Sequence, residues 1–261
     1  MTRSVDDLGR AVQLPAQVER IVSLVPSLTE SVAATAAHLL VGATDYCTHP
    51  AGLAARRIGG TKNPDVAAVV ALRPDLVLAN EEENRETDLA QLRSAGLPVW
   101  VTAPRTVPEA LASLRRMLSA CGLAEPAWLR SAVTVWQGPP PVPNRRAFVP
   151  IWRRPWMSLG HGTFAGDLLG RLGVLNIHND NPLRYPRVSL GELRGRPLDL
   201  VVLPDEPYRF TAADLDAFVG WPVRIAFVSG RHLTWYGPSL VEAREVLAGQ
   251  LARAAPAPVQ V

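Results

Sequence analysis

Short apolar runs alternate with amphipathic stretches along most of the chain, a pattern typical of α/β proteins. The clearest example begins at Leu76–Ala79, a continuous apolar run that predicts a strand buried on both faces. A helix is predicted next, with Leu89 and Leu92 on one face and Gly96 as its stop signal. Val99–Val101 then predicts the following strand. This order favours a parallel sheet.

The pattern occurs twice in a loose form. Arg196–Phe210 resembles Arg73–Arg85, since each has an Arg-Pro entry, an apolar strand and an acidic loop. Ser158–Gly173 likewise resembles Ser23–Gly42. The sequence therefore predicts two similar lobes, each with a mostly parallel sheet flanked by helices, with a ligand cleft between them.

The lobe boundaries are predicted from the position of a stiff proline-rich stretch, Gly138–Pro143. We expect an N-terminal lobe at 1–105, a helical connection at 106–145 and a C-terminal lobe at 146–261. Within the first lobe, Ser27–Glu30 fits a capping box and predicts a helix that starts at Leu28.

Composition narrows the functional classes. The 261 residues carry 27 Lys plus Arg against 24 Asp plus Glu, a net charge of +3, and Lys62 is the only lysine. No basic block is interleaved with aromatic residues, so nucleic-acid binding is not expected. The two cysteines, Cys47 and Cys121, lie far apart and indicate no disulfide framework.

The first 22 residues contain no apolar core of the kind that a secretory signal needs. The chain also has no run of about 18 apolar residues, so membrane insertion is not expected. These features predict a cytoplasmic location, or a periplasmic or extracellular one if a signal peptide was removed.

Charged loops follow two predicted strands. They lie at the carboxyl ends of these strands, which is where open α/β sheets bind their ligands. Glu82, Asn84 and Arg85 follow the strand at Leu76, and Glu206 and Tyr208 occupy the equivalent loop of the second lobe. Facing acidic loops favour a cationic, metal-bearing or multiply hydroxylated ligand. An ordinary solvated loop is the alternative.

Aromatic residues with arginine mark two further segments of the second lobe. Trp152, Arg153 and Trp156 lie near a strand end, and Trp235 follows the last predicted strand. Tryptophan and arginine together suit a planar ligand that carries carboxylate or phosphate. Packing of the tryptophans between the lobes is the alternative.

Tyr46, Cys47 and His49 stand close together after the strand that begins at Val41. Cys47 and His49 are candidate ligands for a soft metal or for the metal of a cofactor, but two ligands do not make a site. A small packed loop is the alternative. The chain has no nucleophile elbow, Walker motif or dinucleotide fingerprint, so no catalytic residue is assigned.

Five motifs in order carry a resemblance to a known family. They are Ser-Leu-x-Pro-Ser-x-Thr-Glu at Ser23–Glu30, Val-Gly-x-Thr-Asp-Tyr at Val41–Tyr46, Gly-Gly-Thr at Gly59–Thr61, Leu-Arg-Pro-Asp-Leu-Val at Leu72–Val77 and Arg-Tyr-Pro-x-Val-Ser-Leu at Arg184–Leu190. The chain resembles the helical-backbone (class III) periplasmic-binding-protein-like family, which captures vitamin B12, ferric siderophores and haem. The resemblance implies a helical connection between two α/β lobes.

The resemblance assigns roles to individual residues. Tyr46 matches the aromatic that stacks on the corrin ring in the B12-binding members, and Tyr185 matches their second-lobe aromatic. Two tryptophan positions of those members fall on Lys62 and Asn80, so the apolar wall is missing. The resemblance therefore implies a ligand site more polar than theirs.

Transport members of the family dock a permease through one surface glutamate on each lobe. Those positions fall on Ala67 and Gly191 here, although Asp65 and Glu192 are close neighbours, so these positions argue against permease docking. The sequence thus predicts a binding protein for a metal-bearing or polar cofactor-like molecule, a corrinoid, haem or ferric siderophore.

Two alternatives remain. One is an enzyme of unknown reaction with Glu82, Glu206 or His49 as acid or base. The other is an ABC-transporter receptor whose signal peptide is missing.

Overall fold

The computed structural model describes residues 2–259, which form two compact units. Each unit draws on separate parts of the chain. The first comprises the chain up to Pro104, Pro108–Thr134 and Tyr236–Pro238. The second comprises Arg105–Val107, Val135–Trp235 and the chain from Ser239 onward. Most of the segment predicted as a connection therefore belongs to the first unit.

Helices and strands alternate along the described residues. The strands are β1 (Thr2–Val5), β2 (Ala11–Leu14), β3 (Ile21–Ser23), β4 (Leu40–Ala43), β5 (Arg56–Arg57), β6 (Leu76–Asn80), β7 (Val99–Thr102), β8 (Arg145–Phe148), β9 (Pro150–Trp152), β10 (Met157–Ser158), β11 (Val174–Asn176), β12 (Leu200–Pro204), β13 (Arg224–Val228) and β14 (Ala255–Pro256). The α-helices are α1 (Pro26–Ala36), α2 (Val66–Ala71), α3 (Glu86–Ser94), α4 (Val107–Ala120), α5 (Ala127–Trp136), α6 (Phe164–Arg171), α7 (Leu190–Leu193), α8 (Gly230–Thr234) and α9 (Leu240–Ala252). Short 3-10 helices occupy Ala37–Leu39 and Ala212–Phe218.

The first unit is built on a parallel sheet with the strand order β5-β4-β3-β6-β7. All five residues of β6 are buried, which confirms the strand predicted from the apolar run at Leu76. β6 pairs with β3 on one side and with β7 on the other, so its backbone hydrogen bonds are satisfied within the sheet. The β1–β2 hairpin is a separate two-stranded antiparallel sheet.

The second unit repeats this design. Its sheet has the order β11-β8-β12-β13-β14, parallel except for the short antiparallel edge strand β14. β12 is buried along its whole length, as β6 is. Phe148, Val201 and Phe218 lie at the centre of an apolar core beside this sheet. The predicted α/β class, with parallel sheets flanked by helices, is confirmed.

The predicted capping box at Ser27 is wrong. α1 begins at Pro26, its N-cap residue is Val25, and no side-chain cap hydrogen bond is found there among the described residues. Proline is favoured in the first turn of a helix, because it has no N–H group to satisfy and its φ angle is already helical. Pro26 therefore starts the helix before Ser27 can cap it.

The described helices are short. The longest are α4, with 14 residues, and α9, with 13. A helix that crosses a bilayer needs about 20 apolar residues. None of the helices between residues 2 and 259 is long and apolar enough to cross a membrane.

The N-cap of α2 provides a test of the local fold. Asp65 is exposed, and its Oδ1 accepts a hydrogen bond from the backbone N–H of Ala68 at 2.9 Å. We expect Asp65→Ala to lower the free energy of unfolding by about 1 kcal/mol, because a helix N–H loses its partner. Asp65→Asn keeps an acceptor and should stay within a few tenths of a kcal/mol of wild type in urea melts. Equal losses in both variants would contradict the capping role.

Candidate functional site

Two loops at the carboxyl ends of strands lie together in the first unit. The acidic loop, residues 81–84 after β6, meets the loop that follows β5, residues 58–63. Asn84 Nδ2 donates to the carbonyl oxygen of Thr61 at 2.9 Å, and Lys62 Nζ donates to the main-chain oxygen of Glu82. Parallel strands bring their carboxyl ends to one edge of the sheet, which is where such sheets bind ligands.

Tyr46 presents an aromatic ring to solvent at the same edge. Its exposed fraction is 65%, which is high for a large aromatic residue. A Cβ placed on Gly60 would lie 3.4 Å from Cε2 of the ring, so the ring lies beside a residue without a side chain. Tyr46 therefore offers a surface on which a planar ligand could stack.

Cys47 and His49 are placed differently from one another. Cys47 is fully buried, and its Sγ lies 3.0 Å from Thr29 Oγ1 and 3.2 Å from Thr44 Oγ1. His49 is half-buried, and its Nδ1 lies 3.1 Å from Thr48 Oγ1. In the part of the chain that the structure describes, no group of three or more metal-binding side chains is found. Cys47 packs beneath the Tyr46 loop, and a direct metal site stays a prediction.

Two buried asparagines organise the acidic loop. Asn80 Oδ1 accepts from the backbone N–H groups of Glu82, at 2.7 Å, and Glu83, at 3.1 Å. Asn84 Oδ1 accepts from the backbone N–H of Asn80 at 2.9 Å, and its Nδ2 donates to the carbonyls of Leu24 and Thr61. Asn84, predicted as a ligand contact, is thus engaged within the fold.

Lys62 interacts with the Glu83 carboxylate of the acidic loop. The pKa of Glu83 is raised, mainly because surrounding protein removes part of its hydration; Lys62 opposes this and Glu82 adds to it. Glu83 nevertheless keeps contact with solvent. Arg85 is exposed, and its Nε lies 3.0 Å from Oδ2 of Asp88 in the first turn of α3. Three consecutive glutamates and the ammonium group of Lys62 therefore lie at this edge.

In the second unit, the turn between β9 and β10 carries a neutralised arginine. Arg153 Nη1 donates to Asp214 Oδ1 at 2.6 Å, and its Nη2 donates to both carboxylate oxygens of Asp216 at 2.9 Å. The guanidinium also lies 5.4 Å from the ring centre of Trp156. Burial opposes ionisation of Asp214, but hydrogen bonds from Arg153 and Thr211 outweigh it and hold its pKa below the usual range.

Aromatic rings form a continuous group around this turn. Trp152 is 44% exposed and meets Tyr208 edge-on with a centroid distance of 5.5 Å. Tyr208 contacts Phe210 at 4.6 Å, and Phe210 stacks on Trp156 at 5.9 Å with an interplanar angle of 9°. Trp156 therefore belongs to the edge of the core, whereas Trp152 presents surface to solvent.

The loop after β12 is held by a close backbone approach. Trp235 Nε1 donates to Glu206 Oε2 at 2.9 Å, and Trp235 is buried. A Cβ on Gly230 would lie 2.5 Å from the backbone nitrogen of Glu206, so only glycine fits there. Tyr185 is half-buried, in a segment tied to β10 by a 3.0 Å hydrogen bond from Ser158 N to Pro186 O.

Two cavities were not predicted from the sequence. One of about 310 Å³ lies at the carboxyl ends of β12 and β13, beside Asp205, Arg209 and Gln250. Another of about 450 Å³ lies in the first unit beside β2, lined by Asp75 and Pro98 at the amino ends of β6 and β7. Ligands of open α/β sheets bind at the carboxyl ends, so the larger cavity is not the candidate site.

Tyr236 was missed as a contributor to the first unit. Its hydroxyl lies 2.7 Å from Asn80 Nδ2 and 2.8 Å from Thr102 Oγ1, although it is 156 residues away from Asn80 in sequence. Burial raises its pKa, so the phenol stays protonated. No short-range pattern indicates this contact, because it joins distant parts of the chain.

Comparison with known proteins finds sequence relatives named vitamin B12-binding protein. No known protein-family model matches the sequence. The chain is 24% identical over 254 residues to a vitamin B12-binding protein of Pectobacterium carotovorum, covering 91% of this chain and 90% of that one.

Solved structures of similar fold include the same kind of protein. The fold is similar to that of a periplasmic vitamin B12-binding protein of Vibrio cholerae, with a TM-score of 0.67, 20% identity and coverage of 91% and 98% of the two chains. It is also similar to a periplasmic haem-binding protein in complex with two haems, with a TM-score of 0.71, 22% identity and coverage of 89% and 97%.

The expected resemblance to the class III periplasmic binding proteins is therefore confirmed. These similarities support a ligand-binding receptor and leave its ligand class open. The expected cytoplasmic location finds no support, since both solved relatives named here are periplasmic.

The contact between Gly230 and Glu206 can be tested by adding one methyl group. Gly230→Ala should lower the free energy of unfolding by about 1–3 kcal/mol, because the new Cβ meets backbone atoms rather than a movable side chain. Gly170→Ala is the matched control: Gly170 lies in α6 with open space around it, so alanine should be neutral or stabilise by up to about 1 kcal/mol. Equal effects in urea melts would show that the approach is not tight.

The Arg153–Asp214 pair predicts a pH dependence of stability. The folded-state pKa of Asp214 is depressed, so the ionised carboxylate stabilises the folded protein. This contribution to the free energy of unfolding is fully present above the ordinary aspartate pKa of about 3.9. It is lost as the pH falls through the folded-state pKa. Arg153→Gln should lower the free energy of unfolding by on the order of 2 kcal/mol at pH 7. In acid, the melting temperature of this variant should converge with that of wild type.

Arg154→Gln changes the neighbouring, exposed arginine and should leave the melting temperature nearly unchanged. A gap between Arg153→Gln and wild type that stays constant from pH 7 to the acid limit would contradict the ion pair.

Proposed function

We propose that this chain is a binding protein for a corrinoid, which contacts the carboxyl-end loops. Similarity to a vitamin B12-binding protein over 91% of the chain supports the ligand class. Tyr46, at the position that stacks on the corrin in B12-binding relatives, has a largely exposed ring. A large planar ligand would cover that ring and gain the free energy of burying it.

The observation that carries the proposal is the charge of the acidic loop. Glu81, Glu82 and Glu83 follow β6, and Lys62 Nζ donates to the main-chain oxygen of Glu82. A corrin ring carries a rim of neutral amide side chains, whose N–H groups are donors that carboxylates accept. Haem carries two carboxylates instead, which the loop would repel. The charge at this edge therefore favours the amide-rimmed ring.

Polar groups also replace the apolar wall of the B12-binding relatives. Asn80 is buried and hydrogen-bonded within the fold, and Lys62 is exposed. A ligand at this edge meets carboxylates and an ammonium group in addition to the ring of Tyr46. The ligand-facing surface suits a hydrophilic rim better than an apolar one.

Haem binding is the second candidate, and arginines of the second unit favour it. Arg154 and Arg209 are exposed and lie within two residues in sequence of Trp152 and Tyr208, whose rings meet edge-on. Exposed guanidinium groups beside aromatic rings suit the carboxylates and the plane of a haem. A ferric siderophore would compete for the same loops if it were uncharged or cationic.

We also infer that the chain acts in the periplasm, as the solved relatives do. Antibody detection in periplasmic and cytoplasmic fractions of the native host tests this, and detection in the cytoplasmic fraction alone would contradict it. The enzyme hypothesis predicts a chemically changed ligand after incubation, which mass spectrometry of the released ligand detects. Recovery of the unaltered ligand favours binding alone.

Replacement of Tyr46 tests the proposed site. Tyr46→Ala should weaken cyanocobalamin binding by about 1–3 kcal/mol, because the stacking surface is removed, whereas Tyr46→Phe keeps the ring and should bind nearly as wild type does. Isothermal titration calorimetry with cyanocobalamin, and separately with haemin, measures both effects.

The visible spectrum of protein purified from its native host provides an independent check, since corrinoid and haem bands differ. Unchanged cyanocobalamin affinity in Tyr46→Ala would contradict the site. Tighter binding of haemin than of cyanocobalamin would support the second candidate instead.

A further inference from the structure

Tyr236 reaches the first unit from a distant part of the sequence. Residues Tyr236–Pro238 belong to that unit, although the residues on both sides of them belong to the second. The segment lies close to α1: a Cβ on Gly237 would be 2.9 Å from Ser31 Oγ and 3.0 Å from the carbonyl oxygen of Ser27. This close backbone approach places the Tyr236 side chain against the carboxyl ends of β6 and β7.

The directions of the hydrogen bonds around Tyr236 follow from its neighbours. The hydroxyl of Thr102 donates its one proton to the carbonyl of Ala79 at 3.1 Å, so towards Tyr236 it can only accept. Tyr236 therefore donates to Thr102 Oγ1 at 2.8 Å and accepts from Asn80 Nδ2 at 2.7 Å. Burial keeps the phenol protonated, which maintains this arrangement.

The carboxamide of Asn80 links Tyr236 to the backbone of the acidic loop. One Nδ2 proton goes to Tyr236 and the other to the carbonyl of Thr102 at 3.0 Å. With its donors held, Oδ1 is aimed at the backbone N–H groups of Glu82 and Glu83, at 2.7 and 3.1 Å. The side-chain amide is saturated, so its orientation is set by Tyr236 and Thr102 together.

We propose that Tyr236 is a positioning residue for ligand binding: its hydroxyl orients Asn80, which holds the acidic loop in its binding conformation. This inference rests on the proposed function for its effect on affinity. The ordering of the loop itself does not depend on which ligand is bound. Tyr236 need not touch the ligand, since it acts through Asn80.

The test removes the hydroxyl and keeps the ring. In Tyr236→Phe we expect cyanocobalamin affinity to fall about tenfold, the equivalent of one buried hydrogen bond. Amide hydrogen exchange, followed by NMR in the ligand-free protein, should lose protection at the N–H groups of Glu82 and Glu83. Thr35→Val is the matched control: its hydroxyl, in the same unit, donates to Ser31 O at 2.8 Å and accepts from Trp128 Nε1 at 3.1 Å. It should leave both affinity and exchange at the loop unchanged.

A second variant keeps the proposal falsifiable if Tyr236→Phe folds poorly. Asn80→Ala removes the acceptor of both loop N–H groups and should weaken binding at least as much. If the two residues act in series, Tyr236→Phe combined with Asn80→Ala should bind within about twofold of Asn80→Ala alone. Fully additive losses would overturn the serial arrangement.

The two readouts separate this inference from the proposed function. Unchanged exchange at Glu82 and Glu83 in Tyr236→Phe would overturn the positioning role, whatever the affinity. Lost protection with unchanged cyanocobalamin affinity would overturn the link between loop order and binding. A wild-type protein that binds no cyanocobalamin would instead overturn the corrinoid proposal, and hydrogen exchange alone would then decide whether Tyr236 orders the loop.

Discussion

Each unit depends on a central strand that is buried on both faces, β6 in the first and β12 in the second. A strand in that position cannot exchange hydrogen bonds with water, so it needs a neighbour on each side. β3 and β7 supply them for β6, and β8 and β13 for β12. Because these strand pairs are parallel, the chain must cross back to the starting end of the sheet between one strand and the next. The loops that follow the strands therefore gather at one edge of each sheet.

Buried polar groups at the strand ends likewise need hydrogen-bond partners. Asn80 and Asn84 lie at the edge of the buried region, and their amides are satisfied by backbone groups, Thr102 and Tyr236. In the second unit Arg153 is committed to two aspartates. Several residues that have the chemistry of a binding site are thus engaged in building the loops that carry the site. Aromatic surface at Tyr46 and Trp152 stays turned toward solvent, as do Glu81 and Glu83 of the acidic loop.

The local elements could be predicted well because they depend on short-range patterns. The strand at Leu76, the helix that carries Leu89 and the strand at Val99 occur where apolar periodicity predicts them. The capping box at Ser27 failed because a proline one position earlier had a stronger preference for the first turn. A short motif is a weak guide where two local signals compete.

The sequence by itself determined the α/β class, the succession of strands and helices and the loops that carry the candidate chemistry. These follow from side-chain periodicity and turn residues, which act over a few positions. Only the tertiary structure decided which polar residues of those loops are engaged in the fold. Asn84 and Arg153 proved to be held by internal partners, and Tyr236 reached Asn80 across 156 positions. Hydrogen bonds between distant residues leave no periodic signal in the chain, so the packing of the folded chain is what reveals them.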